Sequence, residues 1–294
     1  GHVGAPGSLF EASVDHFAEC VNSAMPDKVE VQTFGSSQLG NDKEMLQKLK
    51  LGQMDFSLPS SIMSSVDDSF GIFEMPYIIT SRDHMRRVQD EMMDTFQQAA
   101  NDNGYHIVGL AENGFRHITN NVRPINVPSD LEGVKLRTPN GVWRLRMFQE
   151  YGANPTPMAF SDVFTALQTG VIDGQENPVN VIHSFKLDET QNYMTLSRHT
   201  YAPAIFVMGM PAWNQLPEAA QDVIRQAAQE AAEHERQVNA DMEAEQLAAL
   251  REAGMEINHS PDMEAFQAAV APVYEKYGEQ FGDYLPRIQE ALQQ

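Results

Sequence analysis

The chain is short of cysteine, tryptophan and basic residues. A single cysteine, Cys20, among 294 residues permits no internal disulfide and no cysteine metal cluster. Its place in an amphipathic helical pattern suits a buried core thiol. Lys and Arg total 20 against 41 Asp and Glu, a formal net charge of −21. That balance argues against nucleic acid or an anionic membrane surface as partner and reads as a solvated acidic exterior. No apolar run is long enough to span a bilayer. Catalytic signatures are missing as well: there is no GxGxxG, phosphate loop, GxSxG or CxxC. His234-Glu235 opens a zinc-helix pattern, but Val238 stands where the second histidine is needed. Asp173 and Glu176 make an acid–base pair only on paper, because turn and helix-cap chemistry accounts for both. No enzyme, metal or cofactor is expected.

What is present is a regular alternation of elements. At this length the chain can bury a sizeable core and build two lobes. Gly1–Val3 ends a first strand. Ser8 and Glu11 form a capping box before the helical stripe Phe10, Val14, Phe17 and Val21. Val29, Val31 and Thr33 alternate as a strand, Asn41 caps a short helix ending near Gly52, and residues 54–58 form the next strand. Strand–helix–strand–helix–strand predicts a parallel sheet. Ser60 and Ser61 follow that last strand, where open sheets place ligands, and are candidates for hydroxyl contacts. A helix is predicted over 82–103 and a strand over 105–110, with Arg116 just before a crossing into the second lobe. Residues 128–132 make a capped turn, and 200–210 form another strand. The longest helix starts at Pro217 and runs to about Ala253. At 1.5 Å per residue it reaches ~55 Å, enough to brace both lobes. A short strand and a C-terminal helical region from Pro261 follow.

The densest signal lies between Leu131 and Asn180. Val134 and Leu136 alternate with Lys135 and Arg137 as a strand that Pro139 stops, with Arg137 at its exit. A helix over 142–151 ends at Gly152. Ser161 caps a second helix closed by Gly170. Val171 and Ile172 read as a strand, Asp173-Gly174 as a turn, and Asn177-Pro178 as a helix cap with proline in the first turn. Arg137 offers a planar fork that matches a carboxylate bidentately.

The motifs LRTP, GANPTPM, LQTGVIDGQENP and SQLG run in order along nearly the whole chain. In them the chain resembles the extracytoplasmic solute-binding proteins of tripartite ATP-independent periplasmic (TRAP) transporters. The resemblance implies an α/β, two-lobed periplasmic-binding-protein-like fold. Each lobe is a mixed sheet flanked by helices, a long helix braces both, and the ligand cleft lies between them. Lobe I is expected over 1–120 plus about 205–253, and lobe II over about 121–204 plus 254–294. The implied function is high-affinity capture of a small organic acid in the periplasm and delivery to TRAP membrane subunits. The protein is expected to be a monomer. Its opening, GHVGAPGS, looks like a mature start with the signal peptide removed.

By resemblance, Arg137 matches the arginine that clamps the ligand carboxylate and Arg116 a second arginine of many acid binders. Asn177 matches a hydrogen-bonding asparagine, Phe160 an aromatic over the ligand, Asn140 a position near the carboxylate, and Tyr201 a place often aromatic. Sialic-acid binders carry a glutamate where Ser60 stands, which counts against sialic acid. Ectoine binders carry an acid near the N-terminus, where Val3 and Gly4 lie here. For His2 and Asp42, contact with a ligand hydroxyl and a structural role stand equally open. Arg137 alone satisfies one carboxylate, whereas Asn177, Asn140, Ser60, Asp42 and His2 suit hydroxyls. A sugar acid such as a uronate is therefore preferred over a C4-dicarboxylate or a keto or hydroxy acid. A ligand-sensing receptor module is the rival from another class.

Overall fold

The computed structural model describes residues 1–293. Its helices are α1 (Leu9–Ala24), α2 (Asp42–Lys50), α3 (Arg82–Asp102), α4 (Trp143–Glu150), α5 (Val163–Gln168), α6 (Val179–Ser184), α7 (Met210–Trp213) and α8 (Glu218–Glu252). Three short C-terminal helices follow: α9 (Met263–Ala269), α10 (Ala271–Tyr277) and α11 (Tyr284–Gln293). The strands are β1 (Phe56–Ser57), β2 (Tyr105–Asn120), β3 (Lys135–Thr138), β4 (Asn154–Pro157), β5 (Gly174–Pro178), β6 (Tyr193–Thr195), β7 (Tyr201–Gly209) and β8 (Glu256–Asn258).

The sheet runs β1-β7-β2-β5-β3-β4, with β6 joining β2 to β8. It is mixed: β1, β7, β2 and β5 pair antiparallel, and β5, β3 and β4 pair parallel. The backbone of the molecule is β2. Its first part, to Phe115, pairs with β7, and Arg116–Asn120 pair with β5. One strand thus belongs to both halves of the sheet. A bulge between Glu112 and Gly114, with Gly114 at φ +117°, lies just before the change of partner.

The first 58 residues depart from the parallel sheet that their pattern predicts. Val31 gives both backbone groups to the Asn22 amide (2.7 and 3.2 Å), so residues 29–33 join no ladder. Residues 1–4 form no strand: His2 N donates to Phe34 O (3.0 Å), Ser37 N donates to His2 O (3.2 Å), and Gly1 reaches β1 through Gly1 N to Phe56 O (2.9 Å) and Ser57 Oγ to Gly1 O (3.0 Å). Only the two residues of β1 enter the sheet, antiparallel to β7. Ser8 accepts from Glu11 N (3.2 Å), but the Glu11 carboxylate takes the Gly7 N–H instead of closing the box. Asn41 and Glu44 do close a reciprocal box at α2.

Two boundaries near the cleft also shift. Val171 and Ile172 bond back to Ala166 O, wrapping the end of α5, so β5 begins at Gly174. Asn177 therefore lies in β5 opposite His117, and Pro178, not Asn177, caps α6. Ser161 sits inside a 3-10 turn and caps nothing.

Helix α8, 35 residues long, spans ~52 Å at the standard rise. It packs on α1, β2 and α6. Ile224, Ala228, Ala231 and Leu250 are buried and Met242 is exposed. At mid-helix the buried face is polar instead. Glu235 and Asn239 point at the β2 bulge, where Asn239 donates to the buried Glu112 carboxylate (2.5 Å). Arg82 and the Tyr201 hydroxyl also donate to that carboxylate, at 2.8 to 2.9 Å.

A cleft between two sides of the sheet

A hollow lies where α2, the loop after β1, β2, β3 and α6 converge. Seven of the nine residues singled out from the sequence line it: Arg137, Arg116, Asn177, Phe160, Asn140, Ser60 and Asp42. The other two lie elsewhere. Tyr201 turns its hydroxyl to Glu112 and packs its ring edge-on to Phe115 at 5.1 Å, serving the β2–β7 core. His2 is buried, its Nδ1 accepting from Gly4 N (3.1 Å) and its ring filling the space above Gly35. Neither residue lines the hollow.

Arg137 leaves β3 with its side chain only 3% exposed. Its Nε and Nη2 donate to Met158 O, at 3.0 and 2.8 Å, and its guanidinium lies 5.6 Å from the Phe160 ring centre. No carboxylate pairs with it among the described residues. Burial, then the neighbouring Arg116 cation, push its pKa down to about 9. It remains charged at neutral pH, and an incoming anion relieves both penalties.

Arg116 is held differently. Its Nε and Nη2 grip both oxygens of Glu176 at 2.6 and 3.0 Å. Glu176 also receives Arg144 Nη1 (2.6 Å) and His199 Nε2 (2.9 Å), and Arg144 continues to Glu74 (2.7 Å). Arg116 and Arg144 hold Glu176 well below the ordinary carboxyl range despite its burial. His199 is pushed down to about 4 by burial, so it is neutral and donates its Nε2 proton. Glu176 is thus the centre of a buried ion cluster directly behind the cleft, not the turn residue its sequence neighbourhood implies.

Facing Arg137, Asp42 presents an Oδ1 atom shut off from solvent and without a partner. Burial raises its pKa to about 7, partly offset by Arg137. Ser61 Oγ and Asn113 Oδ1 line the same hollow and are also unpartnered. The Ser60 hydroxyl is committed: it donates to Pro203 O (2.7 Å) and accepts from Asn113 Nδ2 (3.2 Å). Asn177 donates to Gln175 Oε1 (2.6 Å). On one wall the arrangement offers one buried cation without a carboxylate partner among the described residues, and on the other hydrogen-bond acceptors, which suits an anion bearing hydroxyl groups.

Sequence reasoning missed Asn113, Asn180 and Lys43, which also line the cleft. The Asn113-Gly114 dipeptide was a signal for a bulge or turn. Among the described residues no group of three or more His, Cys, Asp or Glu is placed to hold a metal ion. No helix among them is long and apolar enough to cross a membrane.

The model of bacterial extracellular solute-binding protein, family 7, matches residues 1–280. A solute-binding protein of Verminephrobacter eiseniae is 36% identical over 277 residues, 92% of this chain and 81% of that protein. The crystal structure of a TRAP periplasmic solute-binding protein from Polaromonas sp., bound to D-erythronate, superimposes with a TM-score of 0.95. It is 33% identical and covers 99% of this chain and 96% of that one. A sugar acid binding protein from Advenella mimigardefordensis in complex with galactonate gives 0.94, at 30% identity, covering 99% and 96%.

Proposed function

The chain belongs to bacterial extracellular solute-binding protein family 7, and we propose that its cleft captures a hydroxylated monocarboxylate of the sugar-acid class. The observation that carries this reading is the pairing of opposites across the cleft. Arg137 is a buried cation bonded only to a carbonyl, and Asp42 faces the same space with an unpartnered oxygen. A carboxylate satisfies the first bidentately. A hydroxyl satisfies the second, whereas a second carboxylate meets repulsion there. Phe160 gives a flat apolar face to the C–H side of the ligand. The erythronate and galactonate bound by the two relatives are acids of this kind.

Capture is a closing motion. The lobes are residues 1–120 with about 205–253, and about 121–204 with 254–294. A ligand touching Arg137 on one side and Asp42 on the other stabilises the closed form because only that form makes both contacts. The protein is a periplasmic carrier and not an enzyme: it hands its ligand to TRAP membrane components.

A thermal-shift panel tests the reading. Sugar acids should raise the melting temperature by mass action, and small-angle scattering should show a more compact particle with the acid than without. Stabilisation by succinate with none by D-galactonate, D-glucuronate or D-erythronate would overturn the ligand class. A tight ligand that leaves the scattering unchanged would overturn capture by closure.

A further inference from the structure

Asn113 is the extra residue of the β2 bulge: Glu112 faces Pro203 and Gly114 faces Ala202, leaving Asn113 without a strand partner. It is 4% exposed and lines the cleft. Its surroundings fix which way the amide points. The Ser60 hydroxyl gives its hydrogen to Pro203 O, so only a lone pair faces Asn113, and Nδ2 donates to it. The reverse orientation would set oxygen against oxygen. Asn113 Oδ1 is therefore directed as an acceptor, and none of the described residues satisfies it. Leaving such an atom buried is costly unless a ligand supplies a donor.

The same residue sits where the two halves of the sheet meet. Its carbonyl accepts from Asn180 Nδ2 (2.9 Å), on α6. Its amide leans on Ser60, from the loop after β1. The preceding N–H, of Glu112, is held by Glu235 of α8 at 2.8 Å. We propose that Asn113 is the hinge-mounted reader of a ligand hydroxyl, determining specificity for hydroxylated acids and tying recognition to the bulge about which the halves meet. This rests on the hydroxy-acid reading of the cleft. A carboxylate or methylene at that position leaves Oδ1 unsatisfied, so the residue selects for a donor and against its absence.

A cycle between side chain and ligand tests it. The probe is whichever of D-erythronate, D-galactonate and D-glucuronate binds wild type most tightly by calorimetry, together with its singly deoxygenated analogues. In wild type, removing one particular hydroxyl should weaken binding at least about tenfold. In Asn113→Ala, removing that same hydroxyl should cost less than about threefold. Asn113→Ser, polar but too short to reach, replaces the alanine variant should circular dichroism show that one unfolded. Equal losses in wild type and variant for every hydroxyl would overturn the assignment while leaving the ligand class standing. Failure of wild type to bind any of the three acids would instead overturn the ligand class, and this assignment with it.

Discussion

Arg116 and Glu176 sit diagonally across adjacent strands, Arg116 opposite Pro178 and Glu176 opposite Ile118, and their side chains are joined twice, Nε to Oε2 at 2.6 Å and Nη2 to Oε1 at 3.0 Å. Arg116 lines the cleft, but three of its N–H donors are already spent on Glu176. It is better described as the cation that neutralises Glu176 and pushes on Arg137 than as a free clamp. Glu176→Gln would leave Arg116 with no charge partner and Arg144 with only Glu74. Breaking a buried pair in this way costs about 3–5 kcal/mol. Urea denaturation at pH 7 should show a loss of that order, and a loss below about 1 kcal/mol would contradict the account. Because the Glu176 pKa is depressed when folded, this stabilisation is present above the ordinary carboxyl range and is lost as pH falls through the folded pKa.

In the proposed reading of the cleft, affinity depends chiefly on Arg137. Arg137→Ala should weaken binding of a sugar acid by about 1.5–3 kcal/mol, roughly tenfold to a hundredfold. Arg137→Lys should not restore it, since the ammonium lacks the planar fork and cannot hold Met158 O and a carboxylate together. Near-native affinity of the lysine variant by calorimetry would remove Arg137 from the role of bidentate clamp.

Glu235 predicts a pH dependence of opposite sign. Burial and the neighbouring Glu112 raise its folded pKa well above 4.5, while its Oε2 accepts from Glu112 N. Above pH ~4.5 the unfolded chain loses this proton and the folded chain keeps it. Stability therefore falls as pH rises from there toward the folded pKa, by at most about 1.4 kcal/mol per unit. Glu235→Gln keeps the acceptor and cannot ionise. Its stability between pH 5 and 8 should fall less steeply than that of wild type by this one-proton slope. Asp42, raised to about 7, contributes to both curves and cancels in the difference. Parallel curves would show that Glu235 is ionised in the folded protein.

How far the sequence could be read follows from what each signal measures. Helix periodicity and caps are local, so α3 and α8 lie within a residue or two of their predicted ends. Strand pairing is not local. Nothing in Val29, Val31 and Thr33 reveals that the Asn22 side chain takes Val31 out of any ladder. The polar stretch of α8 at Glu235 and Asn239 makes sense only once Glu112 is known to be buried beneath it. The strand end and proline stop at Arg137 are a weak signal by themselves, and its assignment to the ligand carboxylate rests on the family resemblance. Asn113 could not be placed, because its meaning depends on a bulge and on a Ser60 hydroxyl already bonded to Pro203. Tyr201 was misplaced for a related reason: its partner Glu112 lies 89 residues away in sequence.

The central claim is that the cleft takes one carboxylate and reads hydroxyls opposite it. Calorimetric titration of the wild-type protein at pH 8, above the Asp42 pKa of about 7, tests it most directly. The predicted result is that the best of D-galactonate, D-glucuronate and D-erythronate binds at least about tenfold more tightly than succinate, a difference of about 1.4 kcal/mol. Succinate binding more tightly than all three would contradict it.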